Sequence, residues 1–371
     1  MKTDTITYLN DAIDIVVKSL QFNYRNIENK GIQKFVPHMS GRVGCGKSQG
    51  VQQARNILAD WMVEQKKIKD ASEYNLIYLD APQMDYTDVN GWFVPSQDGQ
   101  TMNRLRPPHC PTDGYGIIFI DEFTQASQSV QSVLAQLILE RRLGEHKLGD
   151  GWMIVVASNR IKDRASTSVM PTQVRDRLKP WLNVDNTWES IANHFMDKGI
   201  NQKIVSWVKY TKDQFTSEKA FDRDANSNPT PRSIEVAGSV LDMELDEHLL
   251  RPMLCGTIGN EASTSLLAFI KYYDRLPDLK EIVKAPLQAP MVEQGQLAFV
   301  LTCELVKVVK HKREAFDSCV QYIERMYKEH NSAELVALFI KDCLSNDGTL
   351  KTHAKTRELF GSNSPFAHLL N

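Results

Sequence analysis

The segment Gly41-Arg42-Val43-Gly44-Cys45-Gly46-Lys47-Ser48 constrains this chain more than any other stretch. It fits the pattern G-x-x-x-x-G-K-[ST]. A triphosphate needs several backbone N–H groups converging on its oxygens. Only a glycine-rich turn lets the backbone come that close. A helix beginning near Lys47 aims its N-terminal dipole at the same anion. Lys47 then reaches the β- and γ-phosphates, and the Ser48 hydroxyl is a ligand for Mg²⁺. Gln49 comes directly after and is counted with the nucleotide-binding residues. The competing reading is a glycine turn with an incidental lysine.

A second motif argues against that competitor. Gly116-Ile117-Ile118-Phe119-Ile120 is an unbroken apolar run ending in Asp121-Glu122. Such a run suits a strand buried on both faces of a parallel sheet. Ligands sit at the C-terminal ends of strands in open α/β sheets. Asp121 is then placed to hold Mg²⁺ opposite Ser48. Glu122 is placed to orient or deprotonate the attacking water. A third run, Trp152-Met153-Ile154-Val155-Val156-Ala157, leads into Ser158-Asn159-Arg160. An amide at a strand tip can hydrogen-bond the lytic water or the γ-phosphate. Alone, Asn159 would read as a turn residue capping its own backbone; its place behind the other two motifs favours the site.

This order of motifs resembles the AAA+ ATPases, and in its details the MoxR-like branch. The resemblance rests on Gly41 to Ser48, Ile118 to Phe123, Arg141-Arg142-Leu143-Gly144-Glu145, Ala157 to Arg160, Val174 to Leu178 and Pro229-Thr230-Pro231-Arg232-Ser233. It covers roughly residues 31–240. It implies an α/β core with a P-loop parallel sheet, followed by an all-helical lid. It implies that Arg177, within Arg175-Asp176-Arg177-Leu178, is a finger reaching a neighbouring subunit's γ-phosphate. It also implies that Arg232 is a second sensor in the lid. A guanidinium in either place would neutralise charge on the transferring phosphoryl group. Arg160, Arg164 and Arg175 compete for the finger role, and a surface ion pair with Asp176 is the structural alternative for Arg177. The chain departs from the family where the loop lacks its usual prolines and where Leu178 replaces a Phe. Neither change removes a chemical group from the site. ATP rather than GTP rests on the resemblance alone.

The rest of the sequence sets bounds. A formal charge of −2 provides no global basic field for nucleic acid. No apolar run approaches the roughly 18 residues of a membrane span, and the N-terminus lacks an apolar signal core. A soluble, cytoplasmic protein is expected. Six cysteines are dispersed without a C-x-x-C, which reads as reduced and mostly buried. Cys110 beside His109 reads as packing rather than a ligand pair, and no histidine spacing suits a metal.

The expected organisation is an N-terminal helix over 1–30 packing on the core, with Ile6, Leu9, Ile13, Val16, Val17 and Leu20 at helical spacing. The α/β core comes next over 31–185, its loop-side strand over about 37–40 and another strand over 76–79. Residues 80–111 form an insertion rich in Asp, Gly, Asn and Pro. A loop this long is usually functional. Its Trp92-Phe93-Val94 either faces a partner or staples the loop inward. An amphipathic helix is expected over 125–143 and a hairpin over 144–152. The lid spans 186–260, with a helix starting near Arg232; a helical C-terminal region spans 261–360 and a tail 361–371. Lys307, Lys310, Lys312 and Arg313 read as a solvated face rather than a nucleic-acid patch.

These features converge on a ring ATPase, expected as a hexamer, that uses ATP and Mg²⁺ to remodel a protein partner. The resemblance adds that MoxR-like ATPases commonly work with a von Willebrand A domain protein. The alternatives are a nucleic-acid motor or loader, a GTPase of the restriction-translocase kind, and a nucleotide-gated scaffold. Glu122 argues against the last.

Overall fold

The computed structural model describes residues 6–29, 31–160, 170–216, 220–222, 225–273, 275–293, 295–330 and 332–359. They divide into two units. One runs to Thr187 and takes in Thr230–Arg232; the other holds most of the chain from Trp188 onward.

In the first unit β1 (Ile6–Tyr8) feeds α1 (Leu9–Arg25), and β2 (His38–Gly41) leads through the glycine loop into α2 (Lys47–Glu64). Then come β3 (Tyr74–Asp80), α3 (Tyr86–Asn90) and the strands β4 (Phe93–Pro95) and β5 (Met102–Arg104). Next are β6 (Tyr115–Asp121), α4 (Gln128–Glu140) and the short strands β7 (Arg142–Leu143) and β8 (His146–Lys147). Strand β9 (Trp152–Asn159), α5 (Thr172–Arg177) and β10 (Trp181–Asp185) complete it. Six strands form one sheet in the order β1-β10-β2-β9-β6-β3. Every neighbouring pair in it is parallel.

The unbroken apolar runs are explained by helices on both faces. Along β6, Ile117 and Phe119 join one core with α1 and α2, while Ile118 and Ile120 join another with α4. Along β9, Met153 and Val155 go to the first core, Ile154 and Val156 to the second. Successive side chains of a strand point to opposite faces, so a sheet covered on both sides has no polar alternation. Deleting either face would be costly; truncating a buried Phe to Ala costs about 3–5 kcal/mol.

Several boundaries differ from the sequence reading. Residues 6–8 are an edge strand rather than the first helical turn, and the helix begins at Leu9. The strand before the loop is His38–Gly41, with Pro37 just outside, its carbonyl accepting from the Val156 N–H. The amphipathic helix is shorter than 125–143: Ser127 caps it, and Arg141 ends it in a left-handed conformation at φ 54°. The hairpin turns at Gly144-Glu145, and Trp152 already belongs to a central strand. Residues 80–111 are not a bare loop, since they hold α3 and the β4–β5 hairpin.

The second unit is helical throughout its described residues, from Trp188–Asp197 to Ala354–Leu359. One core gathers Ile191, Trp207, Ile234, Leu254 and Leu266; another gathers Leu301, Phe316, Ile323, Phe339 and Ile340. A buried Lys209 meets Asp342 at 2.5 Å, which pairs a charge that burial alone would penalise heavily. Among the described residues no helix is long and apolar enough to cross a membrane. The expected tail over 361–371 lies outside the described residues.

Candidate active site

The site lies where the C-terminal ends of β2, β6 and β9 meet the start of α2. Gly44 and Gly46 have φ of 74° and 89°, a region that residues with a Cβ rarely adopt. A Cβ at Gly46 would also sit 2.9 Å from the Leu9 side chain. The loop thus turns sharply enough to start α2 at Lys47.

The Lys47 ammonium is buried. It donates to the carbonyls of Gly41 and Arg42, each at 3.0 Å, and to Asn159 Oδ1 at 2.9 Å. The Asn159 amide in turn donates to Glu122 Oε1 at 3.3 Å. Asn159 therefore links the lysine to the glutamate. Glu122 itself sits in the left-handed region at φ 52°, where a non-glycine residue is strained. On the other side, Ser48 Oγ donates to Asp121 Oδ2 at 2.6 Å. Asp121 Oδ1 accepts from the Glu122 N–H at 2.9 Å. A hydroxyl and a carboxylate so close offer only oxygen donors, which suits a hard cation such as Mg²⁺. Among the described residues no group of three His, Cys, Asp or Glu side chains forms an all-protein metal cage. Mg²⁺ beside phosphates needs only one or two protein oxygens.

The loop is clamped from its flank. Arg42, read from sequence as one of the nucleotide-binding loop residues, donates to Asp185 Oδ1 through Nη2 at 2.7 Å and Nε at 3.2 Å. Asn186 donates to the Cys45 carbonyl at 2.8 Å. Sequence reasoning missed Asp185 and Asn186. A signal existed, because they end the apolar strand β10 just as Asp121 ends β6. It also missed Tyr78, whose phenol donates to Asp121 Oδ2 at 3.0 Å. Burial and the neighbouring carboxylates, Asp121 first, push that phenol's pKa up. Nothing in the spelling of β3 marks it.

Cys45 is buried against the loop, and burial raises its thiol pKa. Val43 is exposed. Gln49, in the first turn of α2, is exposed. The basic residues spread more widely. Arg232 lies at the start of the helix Pro231–Asp242, and its Cβ is 3.6 Å from where a Gly44 Cβ would stand. Arg177 donates to the Lys34 carbonyl, and burial lowers its pKa. Arg175, two residues earlier, is exposed. Arg164 lies outside the described residues. Arg141 is structural: it donates to the carbonyls of Gly149 and Trp152 at 3.0 and 2.7 Å. His109 Nε2 lies 3.0 Å from the Val89 carbonyl, to which it donates, and Cys110 is buried beside it, so both serve packing.

Residues 38–178 match the family model of the AAA domain, dynein-related subfamily. The chain carries an AAA domain. An AAA domain is an ATP-hydrolysing module, and its chemistry makes the chain an ATPase. The matched segment holds the loop, Asp121-Glu122 and Asn159, and it ends one residue after Arg177. No curated protein matches the chain. Among solved structures, the AAA-domain chain is similar to RuvB of Thermotoga maritima, a Holliday junction branch migration motor, at 14% identity and TM-score 0.34, covering 74% of this chain and 76% of that one. PCH-2 of C. elegans gives 11%, TM-score 0.39, and 70% and 69% coverage. A putative ATPase from Cytophaga hutchinsonii gives 13%, TM-score 0.31, and 86% and 83% coverage. Likenesses this loose say nothing about function.

Proposed function

We propose that this AAA domain works in a ring, most simply a hexamer, and uses ATP to remodel a protein partner. The observation that carries the chemistry is the chain of contacts Lys47–Asn159–Glu122 beside the Ser48–Asp121 pair. Lys47 would bind the β- and γ-phosphates. Ser48 and Asp121 would hold Mg²⁺, which supplies charge neutralisation on the phosphate oxygens. Glu122 would take a proton from the attacking water as general base. Asn159, already in contact with both Lys47 and Glu122, would align that water and register the γ-phosphate. Arg232, beside the loop, would be the second sensor. In this reading residues 186–260 are the lid and 261–360 the C-terminal region. The matching family model is the dynein-related one, so the MoxR-like assignment rests on the motif resemblance.

A trans finger supports the ring. Arg177, with Arg175 exposed beside it, would reach the γ-phosphate of the next subunit. Mixing Arg177→Ala with Lys47→Ala subunits should restore activity at interfaces that pair an intact loop with an intact finger. About a quarter of wild-type turnover is expected from an equal, random mix, where each single mutant gives nearly none. A fully active monomer at high dilution would sink the ring.

A protein client is favoured over nucleic acid by two observations. Lys310 faces Asp197 at 3.7 Å and Arg313 faces Asp347 at 3.3 Å, so the basic stretch is partly neutralised. And Trp92 and Phe93 are 63% and 50% exposed, with Met102 at 58% on the paired strand. Aromatic residues of this kind anchor interfaces. A von Willebrand A domain protein is the partner class the motif resemblance suggests. Replacing Trp92 and Phe93 by Ser should leave basal ATPase within about twofold and the melting temperature unchanged, because surface substitutions shift stability little. Partner stimulation should be lost. A protein that unfolds instead would make the pair core, and salt-sensitive DNA binding would favour the motor.

A further inference from the structure

We propose that Tyr78 is a positioning residue for the Mg²⁺ site, an inference that rests on reading Ser48 and Asp121 as the metal's protein ligands. Tyr78 lies on β3, the edge strand of the sheet, and pairs in register with Phe119 of β6. Its ring packs on Phe119 with centroids 5.5 Å apart. From there the phenol reaches two residues along β6 and donates to Asp121 Oδ2.

That oxygen already accepts the Ser48 O–H, and the other carboxylate oxygen accepts the Glu122 N–H. Three donors therefore fix a carboxylate that would otherwise turn about its last torsion, which is broad and two-fold. The arrangement has a consequence for the hydroxyl. With its hydrogen directed at Asp121, Ser48 keeps its lone pairs for a cation. Tyr78 leaves the phosphate-binding groups alone, since Lys47 bonds to Gly41, Arg42 and Asn159. Its contribution should thus be specific to the metal.

Tyr78 is 51% exposed while Asp121 is buried. Metal ligands depend on the groups that orient them, and loss of such a partner typically costs about 10- to 100-fold in metal affinity. A half-exposed phenol belongs at the lower end of that range, because water can take its place.

The test is Tyr78→Phe, which keeps the ring on Phe119 and removes only the hydroxyl. Binding of a fluorescent ATP analogue is titrated with Mg²⁺ and, separately, in excess chelator. The Mg²⁺ needed for half-maximal enhancement of binding should rise about tenfold. Affinity in chelator and the melting temperature should match wild type. In turnover assays the same shift should appear in half-saturating Mg²⁺, with kcat restored at high Mg²⁺. An unchanged Mg²⁺ titration in Tyr78→Phe, with wild type responding normally, overturns the proposal and leaves the metal ligands standing. An equal loss of affinity in chelator would make the role a general structural one and also overturn it. A wild-type protein whose binding ignores Mg²⁺ would overturn the metal reading itself, and Tyr78 with it.

Discussion

Lys47→Ala is expected to abolish measurable ATP binding. The ammonium is buried at the start of α2, and its three donors go to the Gly41 and Arg42 carbonyls and to Asn159 Oδ1, all of which a phosphate would replace or join as partners. Charge-assisted bonds to phosphate are about twice as strong as neutral ones. Losing them should weaken binding by at least about 100-fold, some 2.7 kcal/mol. The same substitution leaves the carbonyls of Gly41 and Arg42 and the Asn159 oxygen short of a donor. That should lower stability by about 1–3 kcal/mol. Melting curves therefore belong beside the calorimetry, and the binding loss is read only at temperatures where the variant is folded. Unchanged ATP affinity would refute the loop's role.

Much of this site was legible because its chemistry demands particular residue types at particular places. The glycine loop, the Asp121-Glu122 pair and Asn159 could be named from spelling and strand position. The parallel sheet could be expected from apolar runs without alternation, and the two cores that divide the faces of β6 and β9 show why those runs exist. What escaped the sequence was tertiary. Tyr78 reaches Asp121 only because β3 lies beside β6 in register. Asp185 grips Arg42 only because β10 lies beside β2, although β10 comes after nearly the whole sheet in sequence. The short strand β1 was hidden because Ile6-Thr7-Tyr8 continues the helical spacing of α1, and its pairing with β10 decides its form. The β4–β5 hairpin was hidden inside a stretch whose composition reads as loop; Phe93–Pro95 and Met102–Arg104 are too short to show a period.

The Glu122→Gln substitution separates binding from chemistry. Gln keeps the size of the side chain, and its amide oxygen can still accept from the Asn159 amide as the carboxylate does. It cannot accept a proton. Loss of a general base costs about 10²–10⁴ in rate. The left-handed backbone at Glu122 is unaffected by the swap, so folding and nucleotide affinity should match wild type. Such a variant would also hold nucleotide and partner together, and proteins retained on it would name the client.

The most direct test is a single-turnover measurement of phosphate release from ATP, with bound nucleotide followed in the same sample. Wild type should bind and then release phosphate. Glu122→Gln should bind with unchanged affinity and release phosphate at least ~100-fold more slowly. Release at the wild-type rate in Glu122→Gln would contradict the assignment of Glu122 as the base, and a wild-type protein that binds ATP and never cleaves it would contradict the ATPase chemistry altogether.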